Sequence, residues 1–377
     1  MSGIYLHIPF CKQACHYCDF HFSTSLKKKD ELLAALCQEL VLRKDEIAET
    51  VETIYFGGGT PSLLSSEDLR FLISEIYRNY KISDNPEITL EANPDDLSEN
   101  LILQLSKSPI NRLSIGVQSF FEEDLKLMNR AHNAHEALKS IELAKKYFEN
   151  ISIDLIYGIP KMSEKRWRKN LEIALSLGIP HLSCYALTVE PKTALEKFIK
   201  KGIVAPVNDA MAKKHYEILR TETKQAGYEN YEFSNFGKPG YHSRNNTAYW
   251  EGKPYLGIGP SAHSYNGKIR SWNVANNSKY IRSIEAGELP SEWEILSAKD
   301  KFNEYIMTGL RTQKGISAQK ILNDFGENFY NYFMEQVEIQ IKKGLLVFEN
   351  GFFKVSENGK FLSDGIASDL FLIHLEE

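Results

Sequence analysis

Three cysteines near the start of the chain constrain this sequence more than any other feature. Cys11, Cys15 and Cys18 are separated by three and then two residues, and they make up three of the five cysteines in a chain of 377 residues. The apolar run Ile4–Ile8 precedes them and predicts a strand, which Pro9 ends. We therefore expect the cysteines on a loop at the end of a strand, a common place for chemistry in α/β proteins.

Thiols at this spacing allow several interpretations. The short loops and the intracellular character of the sequence argue against a disulfide. A zinc site is an alternative, with His7, His16 or His21 as the fourth ligand, although structural zinc usually pairs two Cys-x-x-Cys knuckles and a second knuckle is absent. A four-iron cluster normally takes four thiolates, so three would leave one iron open for a substrate or cofactor.

The cysteine spacing, followed by an aromatic residue, resembles the signature of the radical S-adenosylmethionine (SAM) superfamily. The run His7–Phe10 resembles the HemN/HemW group within it, which contains oxygen-independent coproporphyrinogen III oxidases and their heme-chaperone relatives. The resemblance implies that Cys11, Cys15 and Cys18 hold a 4Fe-4S cluster whose open iron chelates the amino and carboxylate groups of SAM. In this superfamily an electron from the cluster breaks a C–S bond and releases a 5′-deoxyadenosyl radical.

Strand-like and helix-like stretches alternate along the first half of the chain. The predicted strands are Ile4–Ile8, Thr53–Phe56, Ile88–Glu91, Arg112–Gly116, Ile151–Ile156 and His181–Leu187. The predicted helices between them are Lys28–Arg43, 66–80, Leu97–Ser106, His135–Phe148 and Ser163–Leu177. This alternation predicts an α/β fold with a parallel sheet and covering helices. Periodicity does not separate a barrel from an open sheet, but the resemblance implies a partial (β/α)6 TIM-type barrel.

The last third of the chain has a different pattern. Helices predicted at Lys299–Leu310, Ser317–Asn323 and Glu327–Lys343 precede a hairpin with an Asn350-Gly351 turn, and a final helix is predicted at Lys360–Leu372. This order resembles the winged-helix-like C-terminal α+β domain of the group. We expect a barrel core over residues 1–205, an extension over 206–295 that begins with a helix at 208–226, and a C-terminal domain over 296–377.

Glycine, polar and charged residues follow the predicted strands, and barrels of this kind carry their functional residues at the carboxyl ends of strands. Gly57, Gly58 and Gly59 remove every side chain, so that a ligand can approach the backbone, although a tight turn would explain them equally well. The resemblance implies SAM contacts at Gly58, Gly59 and Thr60. It implies further cofactor contacts at Tyr5, Tyr17, Glu91, Gln118, Arg130, Asp154, Ala186 and His263.

Two of these positions have structural alternatives. Glu91 could cap the turn that follows its strand, and Arg130 with Asp154 could form an ion pair between neighbouring strand ends. In coproporphyrinogen oxidases the positions matching Gln118, Arg130 and Asp154 hold a second SAM.

A second motif lies near residue 245. HemW-type proteins carry His-Asn-x-x-Tyr-Trp here, and the histidine has been considered for heme binding. Asn245 takes the place of that histidine, while Asn246, Tyr249 and Trp250 match the motif. An amide is a poor iron ligand compared with imidazole. His242 could substitute, although a surface or capping role would explain it as well.

Two features favour the HemW type over the oxidases. Oxidases have a fourth cysteine two residues after the third, where this chain has Phe20, and they carry an extension before the first strand. The resemblance then implies a chaperone that binds heme as cargo and passes it to an acceptor protein, with an electron donor for its cluster. The alternatives are a coproporphyrinogen oxidase-like enzyme that removes hydrogen from a propionate side chain, and a non-catalytic metal-binding module.

Composition limits the other classes of function. A net charge of −5 provides no general basic surface for nucleic acid. No run of eighteen apolar residues predicts a transmembrane helix, and the N-terminus lacks a secretory pattern. The odd number of cysteines fits a reducing compartment, so we expect a cytoplasmic protein.

Overall fold

A computed structural model describes residues 2–373 of the chain. Six strands follow one another along the chain and in space, and each pairs in parallel with the next. They are β1 Ser2–Ile8, β2 Val51–Gly58, β3 Ile82–Ala92, β4 Arg112–Gln118, β5 Asn150–Tyr157 and β6 His181–Ala186. Every residue of β4 is buried, as expected for a parallel strand covered on both faces. The predicted α/β fold with a parallel sheet is confirmed.

Helices connect and cover these strands because parallel neighbours need crossover connections. They are α1 Lys29–Leu42, α2 Ser66–Asn79, α3 Glu99–Ser106, α4 Glu122–Met128, α5 Ala134–Ala144, α6 Glu164–Ser176, α7 Ala194–Lys200 and α8 Asp209–Gln225. Local sequence explains where several begin: Ser65 with Asp68, and Asn133 with Glu136, form reciprocal capping boxes. Helices α4 and α7 are short and were not predicted from the sequence.

Additional strands extend both edges of the parallel sheet. The elements are β7 Glu229–Glu232, β8 Asn235–Gly237, α9 Arg244–Trp250, β9 Tyr255–Ile258, β10 His263–Tyr265, β11 Ile269–Asn273, α10 Asn277–Glu285 and β12 Ser291–Ile295. β9 pairs in parallel with β1, whereas β8 pairs antiparallel with β6. Within residues 2–373 the twelve-stranded order begins at β12, ends at β7 and does not close on itself.

The remaining elements pack around a second hydrophobic cluster that begins at Phe302, whereas the first cluster ends at Ile284. They are α11 Ala298–Arg311, β13 Ile316–Ser317, α12 Ala318–Phe325, α13 Glu327–Lys342, β14 Leu346–Glu349, β15 Phe352–Val355 and α14 Ser363–Asp369. Asn350 and Gly351 have φ values of 52° and 84°, as the predicted hairpin turn requires. The predicted final helix is instead a 3-10 turn followed by α14.

The described helices include none that is both long and apolar enough to cross a membrane.

Candidate functional site: a cysteine loop above a polar sheet face

The loop with the three cysteines is closed at its base by backbone hydrogen bonds. Cys11 N donates to Ser23 O at 3.0 Å, and Ser23 N donates to Pro9 O at 2.8 Å. Phe10 and Ser23 also form an isolated parallel bridge. Residues 11–22 therefore project from the carboxyl end of β1, as the sequence predicts.

The segment after α4 holds the tip of this loop. Asn129, with a left-handed φ of 56°, donates through Nδ2 to Ala14 O at 2.8 Å and accepts from Gln13 Nε2 at 2.8 Å. His16 N donates to Met128 O at 3.1 Å. These contacts join the cysteine loop to the end of α4, a helix more than 100 residues later in the sequence.

The three thiols are free, partly exposed and close to polar partners. Arg130 Nη1 lies 3.2 Å from Cys15 Sγ, and the Thr60 hydroxyl is hydrogen-bonded to the Cys11 thiol. Burial raises the pKa of Cys11, and burial raises the pKa of Cys18 to about 11. The thiols of Cys11 and Cys18 are thus protonated in the free protein, and a bound metal has to displace their protons.

The donor set fits a multi-iron cluster better than a single zinc ion. No group of three His, Cys, Asp or Glu side chains among residues 2–373 is placed to hold one metal ion. His7 Nε2 is hydrogen-bonded to His21 O, His16 Nδ1 to Leu127 O and His21 Nε2 to Asn277. In a cluster each thiolate binds a different iron atom, so the thiolates need not converge on one point.

The other two cysteines lie elsewhere. Cys37 is half-buried on α1, and Cys184 is fully buried in β6. Phe20, at the place of the oxidase cysteine, leaves 66% of its surface exposed. The described chain therefore supplies three thiolates to this loop and no fourth.

The three glycines at the carboxyl end of β2, Gly57 to Gly59, are required by close packing inside the protein. A Cβ on Gly58 would lie 2.6 Å from the His7 ring, and one on Gly59 would lie 2.6 Å from Phe10 O. A Cβ on Gly57 would lie 2.9 Å from the rings of Tyr5 and Tyr55. Contacts with β1 and its loop thus account for all three glycines without a ligand.

Glu91 lies directly below these glycines. Its carboxylate accepts hydrogen bonds from Tyr55 OH at 2.7 Å and from Gly58 N at 3.2 Å. Burial, reinforced by the nearby Asp154, raises the pKa of Glu91 to about 7. Tyr5 stacks on Tyr55 with ring centroids 6.0 Å apart, which extends this cluster to β1. The hydrogen bonds of Glu91 thus join β3 to β2, whereas a capping role would direct them to the turn that follows β3.

Arg130 connects the cysteine loop to two strand ends. Its Nη2 donates to Asn93 Oδ1 at 2.6 Å and to Gly116 O at 2.8 Å. The Gln118 amide lies beside it above Gly116, and Gln118 has a left-handed φ of 67°. The hydrogen bonds of Arg130 go to these groups and to Cys15, so the alternative of an ion pair with Asp154 is not what the structure contains.

Asp154 lies deeper on the same face of the sheet. It accepts from Ser114 Oγ at 3.3 Å, and burial raises its pKa to about 6, opposed chiefly by the nearby Arg112. Ala186 pairs with Tyr157 at the carboxyl ends of β5 and β6. Tyr17 has its phenol among Arg130 and the cluster cysteines, and burial raises its pKa.

Sequence reasoning missed one side chain on this face. Tyr185 keeps 46% of its surface accessible, yet Asp154, Glu232 and Glu91 all lie close enough to raise the pKa of its phenol, for which burial is the main cause. The Tyr185 phenol therefore lies among the carboxylates of this face. The available signal was the alternation within the strands: polar residues recur at every second position and share this face, namely Tyr5, Tyr55, Glu91, Ser114, Asp154, Ser183 and Tyr185.

His263 lies at the edge of this region. It starts β10, and its ring packs at 6.1 Å from that of Trp272. The loop before it passes the end of β1, because a Cβ on Gly259 would lie 2.7 Å from His7 O. The structure therefore brings His263 near His7 but not among the carboxylates.

The Asn245 motif lies at the opposite end of the sheet. Asn245 Oδ1 accepts from Thr53 Oγ1 at 3.3 Å, and Asn245 N donates to Glu87 at 3.0 Å. Thr53 pairs with Gly3 near the amino ends of β2 and β1, and it also pairs with Glu87 of β3. Ile8 lies five positions after Gly3, about 16.5 Å along the strand at roughly 3.3 Å per residue. The motif and the cysteines are therefore distinct places in the fold.

Comparison with known proteins finds one family that matches the parallel-strand region and another that matches the C-terminal elements. The family described as Radical SAM superfamily matches residues 5–174, and the HemN C-terminal domain family matches residues 296–362. A coproporphyrinogen III oxidase (HemN) from Escherichia coli, described as a radical SAM enzyme, has a similar fold. The TM-score is 0.85 at 24% identity, and the match covers 98% of this chain and 90% of that one.

Several relatives that are similar over almost the whole chain are heme chaperones by name. The heme chaperone HemW of Bacillus subtilis is 35% identical over 97% of this chain and 98% of its own length. That of Lactococcus lactis is 34% identical over 98% and 97%, and that of Mycobacterium tuberculosis is 32% identical over 98% and 94%. With three thiolates on a loop above a polar face and a HemN-type C-terminal region, the chain belongs to the HemW family of the radical SAM superfamily.

Proposed function

We propose that this protein is a heme chaperone, which binds heme and transfers it to an acceptor protein. The observation that carries the proposal is the 35% identity to a named heme chaperone along nearly the full length of both chains. Phe20 supports it, because the oxidase pattern of the resemblance has a fourth cysteine at this place. We further propose that it acts in the cytoplasm, where thiols stay reduced.

We propose that Cys11, Cys15 and Cys18 hold the 4Fe-4S cluster that radical SAM proteins carry. When bound, the cluster supplies the electron for reductive cleavage of SAM, and an electron donor must restore it. Arg130 supports this assignment from the protein side, since its guanidinium places a positive charge 3.2 Å from Cys15 Sγ. A cation there favours the thiolate that binds iron.

The SAM contacts are proposed from the arrangement of the same face. Glu91 is the group that we assign to the positively charged amino group of SAM, because its carboxylate lies against the glycine segment and accepts a hydrogen bond from Gly58 N. The other proposed contacts are Tyr5, Tyr17, Gly58, Gly59, Thr60, Gln118, Arg130, Asp154, Ala186 and His263. His263 lies farthest from this cluster, so we expect its substitution to affect SAM least.

The proposed division of the chain into three segments is the one that the sequence predicts. We propose that residues 1–205 form the cofactor core, residues 206–295 extend it and residues 296–377 form the C-terminal domain. The two hydrophobic clusters support a boundary near residue 296. The net charge of −5 argues against a nucleic-acid partner.

One experiment separates the proposal from its alternatives. Protein reconstituted anaerobically with iron and sulfide is titrated with heme, and transfer to an apo-heme protein is followed by absorbance. The same sample is incubated with coproporphyrinogen III, SAM and a reductant. We expect heme binding and transfer without oxidation of coproporphyrinogen. Formation of the oxidised product would establish the oxidase instead. Zinc at full occupancy with no iron would establish a metal-binding module.

A further inference from the structure

A large cavity separates the extension from the C-terminal helices. Its volume is about 1110 Å³, and its walls come from α9, β9, β10 and β11 on one side and from α11, α12 and β13 on the other. Pockets for small organic ligands usually hold about 300–1,000 Å³, so a molecule of this class fits. The cavity lies beside α9, at the end of the sheet opposite the cysteine loop.

Aromatic rings form one wall of this cavity in a continuous series. The ring of Trp250 packs edge-on against that of Tyr249, with 5.1 Å between the ring centroids. The ring centroids of Tyr249 and Tyr255 are 5.8 Å apart, and those of Tyr255 and Tyr265 are 6.4 Å apart. Tyr249 remains 49% exposed, so its ring is available to a ligand. Such a wall suits a broad, flat and largely apolar molecule.

The residues that line the cavity carry a net positive charge, whereas the net charge of the whole chain is negative. Six basic residues line it: Lys253, Arg270, Lys301, Arg311, Lys314 and Lys320. Only four acidic residues do so: Glu232, Glu251, Glu304 and Asp324. The excess of two positive charges stands against a chain of net charge −5. A ligand with two negative charges would balance it.

The cations that line the cavity differ in how fully they are already paired with carboxylates. Arg270 is paired with Glu304 at 2.8 Å and Lys320 with Asp324, whereas Lys301 has no ion-pair partner in residues 2–373. Lys314 reaches Glu251 only at 3.5 Å and leaves 64% of its side chain exposed. Carboxylates bound between Lys301 and Lys314 would gain charge-assisted hydrogen bonds.

Two residues that can ligate heme iron also line this cavity. His242 stacks on Tyr231 at 4.3 Å and lies 3.1 Å from Glu229, and Met307 faces the cavity from α11. Histidine and methionine are both axial ligands of heme iron. Asn245 is absent from the lining, because its side chain is bonded to Thr53.

We propose that this cavity binds a porphyrin dicarboxylate, with the ring against the Tyr249 wall and the carboxylates near Lys301 and Lys314. The proposal rests on the heme-chaperone function and assigns it a place. It also assigns the C-terminal region half of the binding site, through α11 and β13.

The first test compares heme with its dimethyl ester, which has the same ring but no charged carboxylates. Lys301→Glu with Lys314→Glu should weaken heme binding at least about tenfold, because two attractive charges become repulsive. The ester should bind both proteins equally. The matched control reverses two exposed lysines outside the cavity, Lys169→Glu with Lys342→Glu, and should leave both affinities within about twofold.

The second test separates the ring from the iron. Tyr249→Leu should weaken both heme and metal-free protoporphyrin about fivefold or more, since the wall contacts the ring. His242→Ala should weaken heme alone if His242 ligates the iron. Circular dichroism and melting temperatures confirm that each variant is folded.

The outcomes distinguish an error in the location of the heme site from an error in the proposed chaperone function. If the unaltered protein binds heme and the four cavity substitutions leave its affinity unchanged, heme binds elsewhere and this inference is wrong while the chaperone function stands. If the unaltered protein binds no heme, the proposed function itself fails. Equal weakening of heme and its ester by the lysine reversals would also overturn the carboxylate assignment.

Discussion

The guanidinium of Arg130 lies 3.2 Å from the sulfur of Cys15 and, through its other terminal nitrogen, 2.6 Å from Asn93 and 2.8 Å from the Gly116 carbonyl. A single side chain thus links the cysteine loop to the ends of β3 and β4. The cysteine loop contains no helix or strand, so its position depends on such contacts. We therefore expect Arg130 to position the cysteine thiols.

Arg130→Met should loosen the cysteine loop. Hydrogen bonds that involve a charged group contribute about 1.5–3 kcal/mol each, so their loss should lower the retention of the cluster several-fold. Iron and sulfide are measured after reconstitution and again after timed exposure to a chelator. The control is Arg168→Met, which changes an arginine with 51% side-chain exposure on α6 and should behave like the unaltered protein. Equal loss in both variants would contradict the assignment.

Each of the substitutions Cys11→Ala, Cys15→Ala and Cys18→Ala should prevent a stable four-iron cluster. Two thiolates leave two irons without protein ligands, and the cluster is then lost to solvent. Cys37→Ala, on the half-buried face of α1, is the matched control and should keep full iron content. Full iron and sulfide occupancy in any of the three loop variants would refute the ligand set.

Gly59→Ala should destabilise the protein by about 2 kcal/mol or more, since overpacking against an immovable neighbour has costs of this order. The added methyl would lie 2.6 Å from Phe10 O and 2.8 Å from Ile8 O, and backbone atoms cannot rotate away. Gly365→Ala provides the control, because no atom lies within 4 Å and the residue is in α14. That change should be neutral or stabilising by roughly 0.5–1 kcal/mol. Chemical denaturation measures both.

Glu91 should give the SAM-free protein a pH-dependent stability. In the folded state burial raises the pKa of Glu91 to about 7 from its ordinary value of 4.5, so the folded state binds the proton more tightly. The free energy of unfolding should therefore fall as the pH rises from about 4.5 to about 7. Glu91→Gln keeps the hydrogen-bonding shape and should remove this part of the slope. An identical slope in the variant would show that other groups cause it.

Asn245→His should not create a heme ligand. The side chain at this position lies against Thr53 and close to Gly3, away from the large cavity. A larger ring there should cost about 1–3 kcal/mol of stability by overpacking, while the heme affinity stays within about twofold. Soret titration and thermal melting measure the two effects. A Soret shift typical of histidine ligation would show that the motif position can reach iron after all.

Local sequence patterns were sufficient for most of the long elements. The helix predicted at 66–80, with Ser65 or Ser66 as its cap, is Ser66–Asn79, and the Ser65–Asp68 capping box accounts for its start. The hairpin around Asn350-Gly351 was equally predictable from its two-residue turn. Helix α4 was missed because it has only seven residues, too few for a periodicity to show.

Candidate site residues were predictable in kind but not in arrangement. The cysteine spacing indicated a cluster loop, yet the contacts of Asn129 and Arg130 with that loop cross more than 100 residues of sequence. Tyr185 was missed because an aromatic residue in a strand ordinarily indicates core. Its place beside Asp154 follows from the pairing of β5 and β6.

By itself the sequence determined the thiolate loop, the order of strands and helices, and the family, since spacing, alternation and capping are local properties of the chain. Only the tertiary structure decided that Asn245 and the cysteines lie at opposite ends of the sheet, and that the cavity beside α9 takes half of its wall from the C-terminal helices. The physical reason is that strand register and domain packing bring together residues that are far apart in the sequence, and no local pattern records which end of a strand a later segment will cover.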